Sequence, residues 1–150
     1  MLLLLFYLGN EIYGLDSSQV VEIIPRVNLR QLYQVPDYVA GLFNYREKFV
    51  PVVDLCQLIQ NKPSLSCLST RIIIVNYPTS TNCVQYLGLM AEKVTDTLQT
   101  NLTWNDTNNS TYKSWGKLIR EEQETIQLLT VESLFPEPEQ NWLLEGASQK

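Results

Sequence analysis

Short blocks of hydrophobic residues, divided by polar turns, follow one another along most of this chain. The first two blocks, 2–8 and 11–15, are separated by Gly9 and Asn10, a dipeptide suited to the tight turn of a β-hairpin. Later blocks of similar composition predict the strands 71–77, 83–94 (bent or bulged at Gly88), 116–120 and 125–129. Many short strands with tight turns favour a pair of small β-barrels over a helical bundle or a parallel α/β sheet.

Polar residues with capping side chains precede three apolar stretches that have helical spacing. Asp16 is expected to cap a helix that ends at Pro25, because Asp side chains accept hydrogen bonds from the first-turn N–H groups. Asp54 is expected to cap a second helix from Leu55, and a third short helix is expected over 131–135. These short helices leave the predicted fold mainly β.

The region between the first helix and the centre of the chain has weaker signals. Alternation of apolar and polar residues predicts a short strand over 27–32, and Pro36 with its neighbours predicts a turn. A single helical turn is expected over 38–40.

The segment 41–55, GLFNYREKFVPVVDL, carries the most specific pattern in the chain. It predicts a β-hairpin in which 42–43 open the first strand, 44–48 supply the turn and 49–53 form the second strand. Pro51 has no N–H group to donate, so we expect the second strand to lie at a sheet edge or to be bulged near Pro51.

The chain of 150 residues, 45% of them hydrophobic, fits one domain with a real core or two small lobes that share one. The polar stretch 60–70 is expected to cross between lobes, and 136–150 is expected to be a polar tail. The sequence VVDL at 52–55 has a faint echo in LLTV at 128–131, since each is followed by two apolar residues at helical spacing. Chance explains such an echo easily, but it agrees with two lobes.

Charge and composition exclude several functional classes. The formal net charge of −5 disfavours binding to nucleic acid or anionic lipid, because both need clustered basic residues. The apolar start of the chain, 2–8, is too short to span a bilayer, so direct membrane insertion is not expected.

The histidine count of zero excludes Ser-His-Asp catalysis and His-ligated metals. Cys56, Cys67 and Cys83 lack metal or redox spacing, which indicates ordinary thiols in a reducing cytoplasm. The carboxylates fall at predicted caps and turns, where structure already explains them. We therefore expect a protein without enzymatic activity, catalytic residues, metal or cofactor, and a protein-binding module is the class that remains.

Two stretches of this sequence resemble the signatures of one protein family. They are FYLGNEIYGLDSSQVVEI at 6–23, and, in 41–55, a hydrophobic residue followed by Asn, an aromatic residue, Arg and then VPVVDL. Together they resemble the CheW family, adaptors that couple chemoreceptors to a histidine kinase in bacterial chemosensory arrays. The resemblance implies a single CheW-like domain over 1–150, built as two SH3-like five-stranded β-barrels packed together and intertwined in sequence. Glu47 departs from the pattern, because the family usually has Gly there; either a positive φ costs about 1 kcal/mol or the turn differs.

The resemblance also implies partners and a location. It implies an adaptor that binds the regulatory domain of a CheA-type histidine kinase and the cytoplasmic tip of a chemoreceptor, in the cytoplasm at membrane receptor arrays. The alternative is a CheW-like interaction module of pilus-driven motility or another receptor-linked pathway, because the same contacts would serve either.

The partner-binding residues that the resemblance implies are Val20, Glu22, Gly41, Asn44 and Arg46. Arg46 is expected at the centre of this surface, since aromatic residues flank the hairpin and Arg with aromatics is typical of interface anchors. The alternative for both Arg46 and Glu22 is an ordinary solvated side chain.

Overall fold

Ten strands make up most of the computed structural model, which describes residues 2–64, 68–78, 84–99, 118–121 and 124–134. The strands are β1 (Leu2–Leu8), β2 (Glu11–Asp16), β3 (Val20–Pro25), β4 (Val39–Tyr45), β5 (Lys48–Asp54), β6 (Arg71–Pro78), β7 (Val84–Ala91), β8 (Lys93–Gln99), β9 (Leu118–Glu121) and β10 (Glu124–Leu129). Single turns of 3-10 helix at Ser17–Gln19 and Val131–Ser133, and one π-helical turn at Cys56–Gln60, are the helical elements of the described residues.

The strands form two five-stranded sheets that share one plan. Sheet 1 has the order β8-β1-β2-β10-β9, and sheet 2 has the order β3-β6-β7-β5-β4. Sheet 1 is built around the antiparallel hairpin of β1 and β2, and β2 also pairs in parallel with β10. Sheet 2 is built in the same way around the hairpin of β6 and β7, and β7 also pairs in parallel with β5. A mainly β fold with two lobes of five strands is therefore confirmed.

The sequence echo falls on equivalent positions of the two sheets. β5, which contains Val52 and Val53, pairs in parallel with β7, and β10, which contains Leu128 and Leu129, pairs in parallel with β2. Each strand is followed by a single helical turn.

The edges of sheet 2 are drawn toward each other by one isolated bridge. Arg30, five residues after the end of edge strand β3, exchanges two backbone hydrogen bonds with Leu42 of the opposite edge strand β4, at 2.7 and 2.9 Å. Sheet 2 therefore curls toward a barrel, although the strand pairings themselves remain open in the described part of the chain. The short strand predicted over 27–32 is reduced to this bridge.

The two sheets are interleaved in the sequence. Sheet 2 takes the strands from β3 to β7, whereas sheet 1 takes β1 and β2 and then the strands from β8 onward. The chain passes between sheets at Ser17–Gln19 and at Glu92. The predicted crossing at 60–70 is wrong in position, because this stretch connects β5 to β6 within sheet 2. Polar residues and a proline mark a loop without indicating which sheet the next strand joins. The predicted tail, 136–150, lies outside the described residues.

A shared core lies between the sheets, and each sheet has a smaller core of its own. Phe6 and Leu15 of sheet 1 meet Ile73 and Leu89 of sheet 2 in the shared core. Along β6, Ile73 and Val75 belong to the shared core while Ile72 and Ile74 belong to the core of sheet 2. Burial on both faces explains the uninterrupted Ile/Val run that predicted this strand.

The first predicted helix is wrong. Asp16 does cap a turn, because its Oδ1 accepts a hydrogen bond from the Ser18 N–H at 3.0 Å, but the turn ends at Gln19. Val20–Pro25 then forms β3 and pairs with β6. Its β-branched residues favour a strand, and an available sheet edge outweighs the helical spacing. The helical turn predicted over 38–40 is wrong for the same reason, since Val39–Tyr45 is β4.

The long strand predicted over 83–94 is divided at Glu92 into β7 and β8, which lie in different sheets. The bulge expected at Gly88 is absent, because Gly88 pairs with Ile74 and Val52 without a shift in register. A Cβ at Gly88 would lie 3.0 Å from side-chain atoms of Ile72 and Val52, so glycine allows close packing here.

The central hairpin is confirmed as β4 and β5, but β5 is an interior strand, so the prediction of an edge strand is wrong. An irregularity does lie near Pro51, but the extra residue is on the partner strand: the register shifts between Val39 and Gly41 of β4, opposite Val53 and Val52. Leu42 directs its N–H and C=O groups to Arg30, so its partner Pro51 occupies a non-hydrogen-bonded position toward β4. Pairing with β7 begins at Val52, one residue later. Proline is tolerated because neither neighbour requires a donor at this position.

Candidate partner-binding site

The tip of the central hairpin is a two-residue turn in which both residues have left-handed backbone. Arg46 has φ 49° and Glu47 has φ 65°, between the paired residues Tyr45 and Lys48. Two consecutive positive φ angles are the signature of a type I′ turn, whose twist matches that of the flanking strands. The backbone thus keeps the conformation that favours glycine, with Glu47 in the position where the family pattern has Gly.

Glu22, Tyr45 and Arg46 form a contact across the opposite edges of sheet 2. The Tyr45 hydroxyl donates a hydrogen bond to Glu22 Oε1 at 2.5 Å, and Arg46 Nη2 donates to the same oxygen at 3.4 Å. The Arg46 guanidinium lies 5.0 Å from the centre of the Tyr45 ring. Because Glu22 belongs to β3 and the other two to the β4–β5 hairpin, the contact adds to the curl of this sheet.

Neighbouring aromatic rings pack against Tyr45 and hold this contact in place. Tyr45 is only 8% exposed and meets the Tyr86 ring edge-on, with 5.5 Å between ring centres. The ring centres of Phe43 and Tyr45 are 6.1 Å apart, and the Lys48 ammonium lies 5.4 Å from the centre of the Tyr86 ring. We name this set of residues, Glu22, Phe43, Tyr45, Arg46, Lys48 and Tyr86, the tip cluster.

The Tyr45 phenol stays protonated at neutral pH. Burial raises the pKa of Tyr45 above its ordinary value, and the hydrogen bond to Glu22 raises the pKa further. The proton that Glu22 accepts is therefore held firmly.

The ion pair at the tip is exposed to solvent. The Arg46 and Glu22 side chains are 57% and 43% exposed. Exposed pairs of this kind contribute about 0–1 kcal/mol to stability, so folding alone gives little reason for the arrangement. A partner can reach both charges.

The predicted site residues are partly brought together. Glu22 and Arg46 are in contact, and Asn44 is exposed on β4 near the tip. Val20 is half-buried against the shared core. Val20 and Glu22 lie on a strand instead of the predicted helix.

Gly41 lies inside the fold. It is buried with φ 153°, and a Cβ there would lie 2.7 Å from the Arg30 carbonyl oxygen and 2.8 Å from the Leu29 side chain. Glycine therefore allows the chain after β3 to cross close to β4.

Aromatic residues flank the hairpin turn in the sequence, and in the structure the Arg46 guanidinium lies over one of them, Tyr45. The sequence pattern did not indicate Tyr86, which belongs to β7 and reaches the tip only through the pairing of the sheet. No local signal links Tyr86 to the hairpin. The hydrogen bond between Tyr45 and Glu22 was also missed, because a helix over 16–25 would have placed Glu22 elsewhere.

Asp54 is occupied by structural hydrogen bonds. Its Oδ1 accepts from the N–H groups of Cys56 at 3.0 Å and Gln57 at 3.4 Å, which confirms the predicted cap. Ser64 donates its N–H to Oδ2 at 2.9 Å and its hydroxyl to Oδ1. Asp54 lies in the wall of a surface cavity of about 890 Å³, but both of its oxygens already accept from the chain.

Two further features bear on possible functions. The parts of the chain that the structure describes hold no group of three or more Cys, Asp or Glu side chains arranged to bind a metal ion. Among the same residues, no helix has the length and hydrophobicity needed to cross a membrane.

Comparison with known proteins places the chain within one family. The model of the CheW-like domain matches residues 2–139. The Chemotaxis protein CheW of Klebsiella aerogenes is 30% identical over 95 residues, which cover 63% of this chain and 54% of that protein. The protein of the same name from Treponema pallidum is 40% identical over 53 residues, which cover 35% of this chain and 31% of the relative. These two matches therefore span less than two thirds of the relatives' length.

Longer matches extend the similarity over most of the chain. Chemotaxis protein CheW of Helicobacter pylori is 24% identical over 138 residues, covering 87% of this chain and 78% of that protein. The crystal structure of scaffolding protein TtCheW from Thermoanaerobacter tengcongensis has a TM-score of 0.75 and 23% identity, and covers 90% of this chain and 87% of that one. This structural likeness concerns the fold. With a family model matched from residue 2 to residue 139, the chain belongs to the CheW-like domain family.

Proposed function

We propose that this protein is a non-catalytic adaptor of bacterial chemosensory signalling. The observation that carries the proposal is the match to the CheW-like domain over 2–139. It is supported by relatives named as chemotaxis proteins and by a structural neighbour described as a scaffolding protein. In the cell, the adaptor works in the cytoplasm at membrane receptor arrays.

Its two partners are the regulatory domain of a CheA-type histidine kinase and the cytoplasmic tip of a chemoreceptor. The contribution of the adaptor is geometric: it fixes kinase against receptor, so that a shift in the receptor changes the populations of kinase states. Two sheets that share one core suit this task, because a rigid body transmits a displacement between surfaces.

The partner-facing surface is centred on Arg46 at the hairpin tip, with Glu22, Asn44 and Val20 around it. The tip cluster supports this choice, because it combines an exposed ion pair with a fixed aromatic base. Arg over tyrosine is a composition typical of interface anchors. Gly41 supports this surface indirectly, because its lack of a side chain lets Leu29 and Arg30 pack against β4.

The test is calorimetric titration of each partner against the wild-type protein and Arg46→Ala. Loss of an interface anchor should weaken binding to at least one partner by about 2 kcal/mol, roughly thirtyfold. Thermal stability should change by less than about 0.5 kcal/mol, because the ion pair is exposed.

A matched control is Lys93→Ala. Lys93 is an exposed cation that lies 5.5 Å from the Tyr7 ring in sheet 1, so it repeats the cation-over-tyrosine geometry away from the tip. It should bind both partners like the wild type. If Arg46→Ala binds both partners with wild-type affinity, Arg46 is an ordinary solvated side chain and not an interface anchor. Failure of the wild-type protein to bind either partner would reject the adaptor function itself.

A further inference from the structure

One carboxylate oxygen at the hairpin tip serves two donors at unequal distances. Glu22 Oε1 lies 2.5 Å from the Tyr45 hydroxyl but 3.4 Å from Arg46 Nη2. A strong hydrogen bond from a cationic nitrogen to a carboxylate is about 2.7–2.9 Å long. Tyr45 therefore holds Glu22 more tightly than Arg46 does.

The position of the Tyr45 hydroxyl is set by the interior of sheet 2. The ring is buried among the core residues of that sheet and stands edge-on to Tyr86 at an interplanar angle of 80°. Long surface side chains lose conformational entropy when they pair, whereas a buried ring has already been fixed by packing. The hydroxyl is thus a fixed donor at the base of an exposed ion pair.

We propose that Tyr45 is a positioning residue of the tip: its hydroxyl keeps Glu22 paired, so that Arg46 can leave Glu22 for a carboxylate of a partner. The partner half of this inference rests on the proposed adaptor function. The Arg46 guanidinium lies over the Tyr45 ring, 5.0 Å from its centre, and this contact with the ring does not depend on Glu22.

When Arg46 moves to a partner, Glu22 loses its ion pair, and the Tyr45 hydroxyl decides whether this carboxylate keeps a hydrogen bond. With the hydroxyl present, Glu22 keeps its shorter hydrogen bond and no carboxylate is left without a partner in the complex. Without the hydroxyl, Arg46 is the remaining donor of the two, and Glu22 competes with the partner for it. Tyr45→Phe keeps the ring and removes this hydroxyl alone.

A first experiment needs no partner. Tyrosine labelled with ¹³C at Cζ is titrated by NMR, and the Tyr45 signal is assigned by its loss in Tyr45→Phe. The midpoint should lie above that of ordinary tyrosine and should move down in Glu22→Gln, because the carboxylate hydrogen bond contributes to the raised pKa. An unmoved midpoint would mean that Tyr45 does not hold Glu22, and would overturn the inference.

The second experiment is a double-mutant cycle measured by calorimetry with the receptor tip and the kinase regulatory domain. Tyr45→Phe should weaken binding about fivefold, the equivalent of one hydrogen bond of about 1 kcal/mol. In a Glu22→Gln background the same change should have no further effect. Tyr13→Phe is the control, because Tyr13 is also a buried tyrosine but lies on β2 in the shared core.

The outcomes separate this inference from the proposed function. Equal weakening by Tyr45→Phe in both backgrounds would overturn the inference and leave the adaptor function intact. Binding of neither partner by the wild type would reject the adaptor function and the carboxylate exchange with it, while the NMR titration still decides whether Tyr45 holds Glu22.

Discussion

At the scale of single residues, the turn at the hairpin tip contains two residues in a backbone conformation that is unfavourable for residues other than glycine. Arg46 and Glu47 both have positive φ, where a side chain costs about 1 kcal/mol relative to glycine. The type I′ turn matches the twist of β4 and β5, and it places Arg46 over Tyr45.

Glu47→Gly should raise the free energy of unfolding by about 1 kcal/mol, because glycine adopts a φ of 65° without steric cost. Urea unfolding followed by circular dichroism measures the change. Lys48→Gly, at the first residue of β5, is the control and should lower stability, since glycine weakens a strand. An unchanged or lower midpoint for Glu47→Gly would mean that the turn carries no such strain.

The local part of the site was predictable and the long-range part was not. Turn residues between two apolar runs identify a hairpin, and neighbouring aromatics identify a surface for its arginine. Tyr86 and Glu22 reach the tip from other strands, through pairings that join residues tens of positions apart. Periodicity describes one element at a time, so it does not report such neighbours.

At the scale of elements, the same capping signal had two different outcomes. Asp16 and Asp54 both accept from the backbone of a following turn, yet Asp16 precedes a single 3-10 turn and then a strand. A cap predicts where a helical turn begins and says nothing about its length. After Asp16 the β-branched residues of β3 pair with β6, and this pairing decides the element.

Removal of the second cap should be costly. Asp54→Ala should lower the free energy of unfolding by about 2 kcal/mol, because an N-cap and the hydrogen bonds from Ser64 are lost together. Chemical denaturation measures this, and Asp54→Asn, which keeps one acceptor oxygen, should lose less. Partner binding should be retained by the folded fraction. An unchanged midpoint for Asp54→Ala would contradict a structural role for this carboxylate.

At the scale of the whole molecule, the sequence predicted two lobes but misplaced the passage between them. Residues 60–70 look like a linker because they are polar, whereas the second of the two actual passages is the single residue Glu92, between Ala91 of β7 and Lys93 of β8. Neither glycine nor proline stands next to Glu92 in the sequence. A chain that changes sheets without a loop leaves no compositional signal, and only the pairing partners of β7 and β8 reveal the change.

Glu92 also ties the two sheets together. Its Oε1 accepts from the Gly9 N–H, in the β1–β2 turn of sheet 1, at 3.1 Å. The same oxygen accepts from the Cys56 thiol, in the turn after β5 of sheet 2, at 3.1 Å. Gln60 donates to the Leu8 carbonyl at 2.7 Å beside it. The passage is therefore fastened to a turn of each sheet.

This arrangement predicts a linked change in stability and thiol chemistry. Burial raises the pKa of Cys56 to about 12, and the hydrogen bond and charge of Glu92 contribute to the rise. The thiol is protonated in the folded protein, and below pH 9 it is mainly protonated in the unfolded chain as well. Stability is therefore lost as pH rises from about 9 to about 12, where the unfolded chain releases this proton first.

Glu92→Ala should lower the free energy of unfolding by about 1–2 kcal/mol, through two lost hydrogen bonds to a charged acceptor. It should also lower the pKa of Cys56, so that maleimide labelling of this cysteine, followed by mass spectrometry across pH, begins at a lower pH. Glu92→Gln keeps the acceptor oxygen and removes the charge, so its stability should stay near that of the wild type while its labelling falls between the two. If Glu92→Ala labels with the wild-type pH profile and unfolds at the wild-type midpoint, Glu92 does not fasten the two sheets to each other.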